Sequence, residues 1–339
     1  MKTRWIGLIA AWVSLVLPSF AQISPIVVRV GYFPNVTHSQ ALVGKARGDF
    51  EKALGPNSHV EWKTFNAGPS VIEALFAGAL DLAYVGPNPA INGYVRSRGD
   101  ALRVIAGATS GGAALVIRPG ANISKPEDFH GKRVASPQLG NTQDVALRAW
   151  LATHNLKLRE KGGDVQVIPI PNPDQLTLFQ KGEIDAAWAP EPWASRLIEE
   201  AGARLFLDER DLWSNRQFVT TNLIASSKFL REHPDVVKKF VRAHVELTEW
   251  IRKRPREAQV TVNQQIQRDT GKALPSKVLE AAFSRLEVTY DPIRESLLHS
   301  AQAAYDLGLL GRVRPNLDGL YELSALNEVL REKKAKPIQ

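Results

Sequence analysis

The sequence predicts an α/β protein of two lobes, each a mainly parallel sheet flanked by helices, with a ligand cleft between the lobes. Its 339 residues correspond to about two domains at roughly 150 residues each. Hydrophobic residues make up 44% and charged residues 23% of the chain, which is typical of globular proteins and excludes a disordered or collagen-like chain. Short β-rich runs also alternate with helical runs, and this alternation occurs twice.

The first alternating unit begins near residue 26. Its predicted strands cover residues 27–32, 60–65, 81–85, 102–108 and 113–117. Helices are predicted between them at 39–54, 70–79 and 89–97. A strand, a helix and a further strand in one sheet form a right-handed crossover, so this order predicts parallel neighbours. The turn residues at 118–122 then interrupt the pattern, which indicates a change of lobe.

The second unit has predicted strands at 132–135, 165–170 and 184–188, and helices at 142–154, 174–180 and 191–201. Two more strands, at 203–207 and 218–225, precede a helical tail that starts with an amphipathic helix over 235–252. We therefore expect one lobe to contain residues 22–112 and 222–339, and the other to contain residues 113–221. Crossover segments near 109–120 and 210–226 would connect them, and a cleft between lobes is where ligands usually bind.

The first 21 residues have the pattern of a secretory signal. Lys2 and Arg4 precede an apolar run over residues 6–17, and the small residues Ser19 and Ala21 flank Phe20, so we predict cleavage after Ala21. An uncleaved membrane anchor is the alternative, but the run is shorter than the roughly 20 residues that span a bilayer. The mature protein is therefore expected to be exported.

Charge and cysteine content exclude several classes of protein. The chain has no cysteine, which excludes a disulfide framework, a thiol nucleophile, thiolate zinc sites and a lipid anchor on cysteine. Without Lys2 and Arg4, 41 basic side chains face 35 acidic ones, a net charge of +6. Because the cations are dispersed among carboxylates, we expect no nucleic-acid partner and a long-range attraction for small anions.

Four loops follow predicted strands and lead into predicted helices, where free backbone N–H groups and the helix dipole can hold an anion. In the first loop, Asn35, Thr37 and His38 are candidates for ligand contact, although helix capping alone would also explain the pattern. In the second, ligand contact is favoured over turn formation, because a tight capped turn does not need both prolines. Its candidates are Gly86, Pro87 and Asn88.

The third loop is a candidate anion cradle with neutral donors, and its alternative is a simple Asn-Thr helix cap. Its residues are Gly140, Asn141, Thr142 and Gln143. In the fourth loop, Trp188 is expected in the core and Trp193 at the edge of a pocket. Glu191 would either bind a cationic group or join the lobes.

The crossover segments supply the remaining candidates. Ser110 and Gly111 follow the fourth strand, and Thr221 stands in the returning segment. These residues would either contact the ligand or act as plain hinge residues.

The sequence gives little support for a cofactor, a metal site or catalysis. Seven histidines occur singly, without the H-x-x-x-H or H-E-x-x-H spacing of a metal site. No P-loop, G-x-G-x-x-G or G-x-S-x-G motif is present. We therefore expect no cofactor, no metal and no enzymatic activity.

Taken together, these motifs resemble those of the extracytoplasmic substrate-binding proteins of ABC importers for nitrate, alkanesulfonate and taurine, a family that includes pyrimidine-precursor binders. The resemblance covers nearly all of the mature chain. It is carried by segments 28–32, 78–86, 139–142, 183–193 and 286–292, whose order and spacing are the signal.

The resemblance implies a type II periplasmic binding fold, a periplasmic location, a monomer and an ABC permease as partner. It also implies that the loops matching Gly86-Pro87-Asn88, Ser110-Gly111 and Gly140-Asn141-Thr142 hold an anionic head group.

The leading hypothesis is a binding protein for a small organic or inorganic anion, first of all an alkanesulfonate. Nitrate would need a smaller and more polar pocket, and taurine could pair its amine with Glu191. The alternative from another class is an enzyme or binder of the pyrimidine precursor of thiamine on the same fold.

Overall fold

The computed structural model describes residues 25–339, so the predicted signal sequence and its cleavage site lie outside the described residues. Within that range, no helix combines the length and the apolar character needed to cross a membrane.

The described residues form eleven strands and thirteen α-helices. The strands are β1 Ile26–Tyr32, β2 Ser58–Thr64, β3 Leu82–Val85, β4 Leu102–Gly111, β5 Ala113–Ile117, β6 Arg133–Ser136, β7 Gln166–Pro169, β8 Ala186–Pro190, β9 Arg204–Asp208, β10 Val219–Ser226 and β11 Leu286–Val288. The helices are α1 Ser39–Arg47, α2 Asp49–Leu54, α3 Gly68–Phe76, α4 Pro87–Arg96, α5 Thr142–Thr153, α6 Asn172–Gln180, α7 Trp193–Ala201, α8 Ser227–Glu232, α9 Pro234–Lys253, α10 Pro255–Thr270, α11 Ser276–Ser284, α12 Arg294–Asp306 and α13 Ser324–Glu332.

These strands form two sheets, which confirms the predicted α/β class with two lobes. The first sheet has the order β11-β4-β10-β3-β1-β2, and the second has the order β7-β6-β8-β5-β9. In the first sheet, β1 pairs in parallel with both β2 and β3, so that Val30 lies opposite Trp62 and Leu82. In the second, β6 pairs in parallel with both β7 and β8.

The prediction of mainly parallel sheets is wrong, because both sheets are mixed. β10 runs antiparallel to β3 and β4, and β5 runs antiparallel to β8 and β9. These antiparallel strands are the ones that carry the chain between the sheets. β5 is the first strand after the chain enters the second sheet, and β10 is the first after it returns to the first sheet.

Helices cover both faces of each sheet, and the strands alternate their side chains between two apolar cores. On β10, Leu223 enters the core beside α1, α2 and α9, while Ile224 enters the core beside α3, α4 and α12. In the first of these cores, Phe50 of α2 stacks on Phe240 of α9 with 4.1 Å between ring centroids. In the second sheet, Trp188 is fully buried, as the sequence predicts.

The chain passes between the sheets twice. The first passage has a single residue, Gly112, between β4 and β5. Both Gly111 and Gly112 have positive φ, of 73° and 79°, which glycine adopts without strain. A Cβ atom on Gly111 would also lie 2.6 Å from the carbonyl oxygen of Arg285.

The second passage runs through two short 3₁₀ helices, Glu209–Leu212 and Ser214–Arg216, between β9 and β10. The predicted boundary at residues 221 and 222 falls inside β10, which pairs with the first sheet along its length. The lobe limits themselves stay a prediction.

Candidate functional site

A small cavity lies where the carboxyl ends of strands from both sheets meet. Its volume is about 20 Å³, which is about one water-sized group. Loops after β1, β2 and β3 line it from the first sheet, and loops after β6 and β7 line it from the second. We call it the polar cavity, and it is lined by Phe33, Asn35, Thr37, His38, Asn66, Gly86, Asn141, Thr142, Gln143, Asn172, Pro190, Thr220 and Thr221.

The β-α rhythm explains why these loops meet. Parallel strands present their carboxyl ends at one edge of a sheet, and each loop then turns into a helix at that edge. The structure brings eight of the candidate residues from the sequence to this cavity: Asn35, Thr37, His38, Gly86, Asn141, Thr142, Gln143 and Thr221.

The polar cavity carries no formal charge. None of its lining residues, among those that the structure describes, is a lysine, an arginine, an aspartate or a glutamate. His38 is its one titratable side chain, and burial lowers the pKa of His38 to about 3. Its Nδ1 accepts the backbone N–H of Phe33 at 3.3 Å, so the neutral ring carries its proton on Nε2.

Two buried polar atoms of this cavity have no hydrogen-bond partner within residues 25–339. They are Oγ1 of Thr142 and Oδ1 of Asn172. Leaving such an atom unsatisfied typically costs about 1–3 kcal/mol. A ligand oxygen could accept from the Thr142 hydroxyl, and the Asn172 amide could contribute either its oxygen or, after rotation, its nitrogen.

Thr142 also starts α5, and it faces the start of α4 across the gap between the lobes. A Cβ atom on Gly86 would lie 2.2 Å from Thr142 Oγ1. Gly86, which precedes α4, has no side chain that could cap the helix. Asn141, which precedes α5, makes no side-chain capping hydrogen bond. The cavity therefore lies between two helix N-termini whose dipoles favour negative charge.

A buried ion pair supports the loop before α5. Asp144 accepts from Ser136 Oγ at 2.6 Å, from the Gly140 N–H at 2.9 Å and from Arg148 Nε at 3.0 Å. Gly140 is thereby fixed in the loop but does not line the cavity, and its φ of 73° suits glycine.

Glu191 joins the two lobes and lies outside the polar cavity. Its fully buried carboxylate accepts Arg285 Nη1 at 3.0 Å on one oxygen and the Ser195 N–H at 3.0 Å on the other. Burial raises the pKa of Glu191, and the charge of Arg285 opposes that shift. Glu191 follows a strand of the second sheet, while Arg285 precedes β11 of the first sheet.

Trp193 also connects the lobes, at the edge of the polar cavity. Its Nε1 donates to Asn35 Oδ1 at 2.9 Å. The Arg196 guanidinium lies 4.7 Å from the centre of the Trp193 ring.

The other candidates do not line the polar cavity. Pro87 and Asn88 form the first turn of α4, where Asn88 Nδ2 donates to the Ser300 carbonyl at 3.2 Å. Ser110 pairs with Val219 in the first sheet, and Gly111 occupies the crossover.

Five lining residues are not among the candidates from the sequence: Phe33, Asn66, Asn172, Pro190 and Thr220. Asn66 and Asn172 had a usable signal, because each is a polar residue that follows a strand of a parallel trio. No group of three or more metal-ligating side chains that could hold an ion occurs within residues 25–339.

Comparison with known sequences identifies relatives of the chain. The NMT1-like family matches residues 22–265. The taurine-binding periplasmic protein of Escherichia coli K12 is 28% identical over 220 residues, which is 61% of this chain and 61% of that protein. The chain thus matches less than two thirds of that relative's length.

Solved structures with the same fold include the alkanesulfonate-binding protein SsuA from Xanthomonas axonopodis pv. citri bound to MOPS. It is 21% identical with a TM-score of 0.70, and the match covers 86% of this chain and 97% of SsuA. The periplasmic nitrate-binding protein NrtA from Synechocystis PCC 6803 is 14% identical with a TM-score of 0.74, over 91% of this chain and 89% of NrtA. At such identities the likeness establishes the fold alone, and it confirms the predicted periplasmic binding fold.

Proposed function

Because the chain belongs to the NMT1-like family, we propose that it is the extracytoplasmic solute-binding protein of an ABC importer and binds a small anion between its lobes. The relatives support this proposal, since one is named for binding taurine and the solved structures for binding alkanesulfonates and nitrate. The partner would be the importer's permease, and the location would be the periplasm. We expect a monomer that binds one ligand.

The observation that carries the proposal is the unpartnered Thr142 hydroxyl between two helix N-termini. A hydroxyl and backbone N–H groups can satisfy the oxygens of a monoanion. With no fixed cation in the lining, binding stays weak enough to release the anion to a permease. The positive net charge of the chain would attract anions from a distance.

Binding would require the lobes to separate. The polar cavity has a volume of about 20 Å³, less than an alkanesulfonate head group needs. Gly86 and Thr142 would move apart on entry, and the lobes would then close around the ligand. The glycine pair at Gly111 and Gly112 is suited to act as the hinge, because both residues absorb backbone rotation without side-chain clashes.

Among small anions, an alkanesulfonate is the proposed ligand. Taurine would bring an ammonium group, and the described lining of the polar cavity offers it no carboxylate. Glu191, the carboxylate that the sequence suggests for this role, already pairs with Arg285. Nitrate is the second candidate, because the cavity is small and polar.

We further propose that the protein does not turn its ligand over. The alternative is an enzyme or binder of a pyrimidine precursor, which as an enzyme would need a group that transfers protons. In the polar cavity that group would be His38, whose pKa of about 3 makes it a poor base at neutral pH.

Isothermal titration with ethanesulfonate, taurine, nitrate and sulfate tests the proposal. We expect 1:1 binding of ethanesulfonate, and recovery of the ligand unchanged by NMR. Thr142→Val should weaken binding roughly tenfold or more, because it removes a hydrogen bond to a charged group. Thr177→Val, at an exposed position of α6, is the matched control and should bind like the unmodified protein. Failure of all four anions to bind, or conversion of the ligand, would refute the proposal.

A further inference from the structure

A second cavity lies next to the polar cavity. Its volume is about 250 Å³, and both lobes line it. The walls come from α5 of the second lobe, from α4 and α12 of the first, and from the passage between β9 and β10. We call it the apolar cavity, and its side chains include Val145, Ala149, Trp150, Trp213 and Phe218.

Three chain segments separate the two cavities, and each contributes to both. Thr142 lines both cavities directly. At the start of α4, Gly86 lines the polar cavity and Asn88 the apolar one. At the start of β10, Thr220 lines the polar cavity and Val219 the apolar one. A molecule bound beside the Thr142 hydroxyl could therefore extend into the apolar cavity.

The apolar cavity has aromatic walls and a floor of small side chains. Trp213 stacks on Phe218 with 5.5 Å between ring centroids. Opposite them, α5 presents Ala146 and Ala149 beside the buried ring of Trp150. The alanines leave room between the helices, and such a surface gains free energy when it covers apolar groups.

One carboxyl group limits what this cavity can accept. Glu209 is 2% exposed and accepts Trp188 Nε1 at 2.8 Å. Burial raises the pKa of Glu209 to about 7. Glu209 is the one acidic residue in the described lining of the cavity, where the other titratable side chains are His154 and His299. A second anionic group on the ligand would meet Glu209 in a poorly hydrated place, so the cavity disfavours a dianion.

We propose that the apolar cavity holds an uncharged, apolar tail of the ligand whose anionic head occupies the polar cavity. The inference rests on the proposed function and narrows the ligand to monoanions with a long alkyl or an aryl tail. Because both lobes line the cavity, the tail would contact both lobes in the closed protein.

A titration series that varies only the tail tests this proposal. Methanesulfonate, butanesulfonate, hexanesulfonate and naphthalene-1-sulfonate share one head group and differ in apolar area. We expect affinity to rise roughly three- to fourfold for each added methylene that enters the cavity. Benzene-1,3-disulfonate should bind more weakly than benzenesulfonate.

A matched pair of variants on α5 localises the effect. Ala149→Phe fills the apolar cavity and should abolish the gain from longer tails, while methanesulfonate keeps its affinity. Ala152→Phe, at an exposed position one turn away, is the control, and its affinity should still rise along the whole series of tails. Ala303→Phe fills the cavity from α12 and provides a second test if Ala149→Phe does not fold, as judged by circular dichroism.

The outcomes separate this inference from the proposed function. Binding of methanesulfonate with no increase along the series would overturn the tail site and leave the proposed function intact. A steep series that Ala149→Phe and Ala303→Phe both leave unchanged would also overturn it, because the tail would then lie elsewhere. Absence of binding by every sulfonate would overturn the tail site and the choice of an alkanesulfonate, and absence of binding by nitrate and sulfate as well would overturn the proposed function.

Discussion

Glu191 and Arg285 form an ion pair between the lobes, with 3.0 Å between Oε1 and Nη1, although 94 residues separate them in the sequence. The carboxylate is fully buried, and the Arg285 side chain is 15% exposed. Arg285 also donates to Ser195 Oγ at 2.8 Å, and its backbone carbonyl accepts the Gly112 N–H at 2.8 Å. The pair therefore lies against the first crossover between the sheets.

Removal of Arg285 should destabilise the protein strongly. Arg285→Met leaves the Glu191 carboxylate buried without its counter-charge, and we expect a loss of roughly 3–5 kcal/mol in the free energy of unfolding. Urea denaturation measures it. Arg254→Met is the control, because Arg254 and Glu257 form an exposed pair at 3.9 Å, and it should change stability by less than about 1 kcal/mol. Equal effects of the two substitutions would contradict a structural role for the buried pair.

A methyl group at Gly86 should prevent full closure of the lobes. The added Cβ would lie 2.2 Å from Thr142 Oγ1, so we expect Gly86→Ala to keep the lobes apart and weaken ligand binding at least tenfold. The fold should remain stable, because the clash disappears when the lobes separate. Small-angle X-ray scattering with and without ethanesulfonate would report the closure.

The double variant Gly86→Ala/Thr142→Ala tests this steric explanation. Removal of Oγ1 leaves the Thr142 Cβ as the nearest contact, at 3.3 Å from the new methyl group. The ligand-induced decrease in the radius of gyration should then return, although affinity stays low because the hydroxyl is gone. If the double variant stays as open as Gly86→Ala, the clash is not the cause.

His38 and His244 should make the folded state less stable as the pH falls. Burial lowers the pKa of His38 to about 3 and that of His244 to about 4, whereas both take up a proton near pH 6.5 in the unfolded chain. The stability that the two neutral histidines give the folded state is fully present above pH 6.5. As the pH falls towards 4, the free energy of unfolding decreases by up to about 1.4 kcal/mol per pH unit for each histidine.

Urea denaturation between pH 7.5 and 5 measures this contribution. Glu209 acts in the opposite direction, because its pKa of about 7 lets the folded state hold a proton that the unfolded state releases. His38→Gln keeps Glu209 and His244, so the difference in slope between the two proteins reports His38 alone. Identical slopes would show that His38 takes up its proton at a similar pH in both states.

Glu209 should make anion binding depend on pH. Its carboxyl group ionises near pH 7, so binding of a long-tailed sulfonate should weaken between pH 6 and pH 8. Glu209→Gln keeps the shape and removes the charge. Titrations with hexanesulfonate at the two pH values should differ severalfold for the unmodified protein and be nearly equal for the variant. A variant with the same pH dependence would assign the effect to another group.

The sequence could predict the loops of the site because their position follows from local patterns. Asn141 and Thr142 follow a β-rich run and precede an amphipathic one, and parallel strands bring such loops to one edge. The same reasoning applies to Asn66 and Asn172. Those two residues were missed although they carry the same signal, a polar residue shortly after a strand.

Long-range contacts could not be predicted in the same way. The choice between the two roles of Glu191 depended on Arg285, which follows α11 and lies 94 residues further along the sequence. No local pattern around Arg285 identifies Glu191 as its partner. The antiparallel direction of β10 likewise depends on where the chain returns from the second sheet. The apolar cavity depends on α5 meeting α12, whose packing no pattern in either helix specifies.

The single residue between β4 and β5 constrains how this chain can change in length. Ser110 pairs with Val219 in one sheet, while Ala113 pairs with Pro190 in the other. An insertion between them would shift the register of at least one sheet and turn its side chains to the wrong face. The return passage has no such restriction at Ser214–Arg216, whose residues are exposed and outside both sheets. A reporter domain grafted there would preserve the strand pairing and could convert lobe movement into a fluorescence signal.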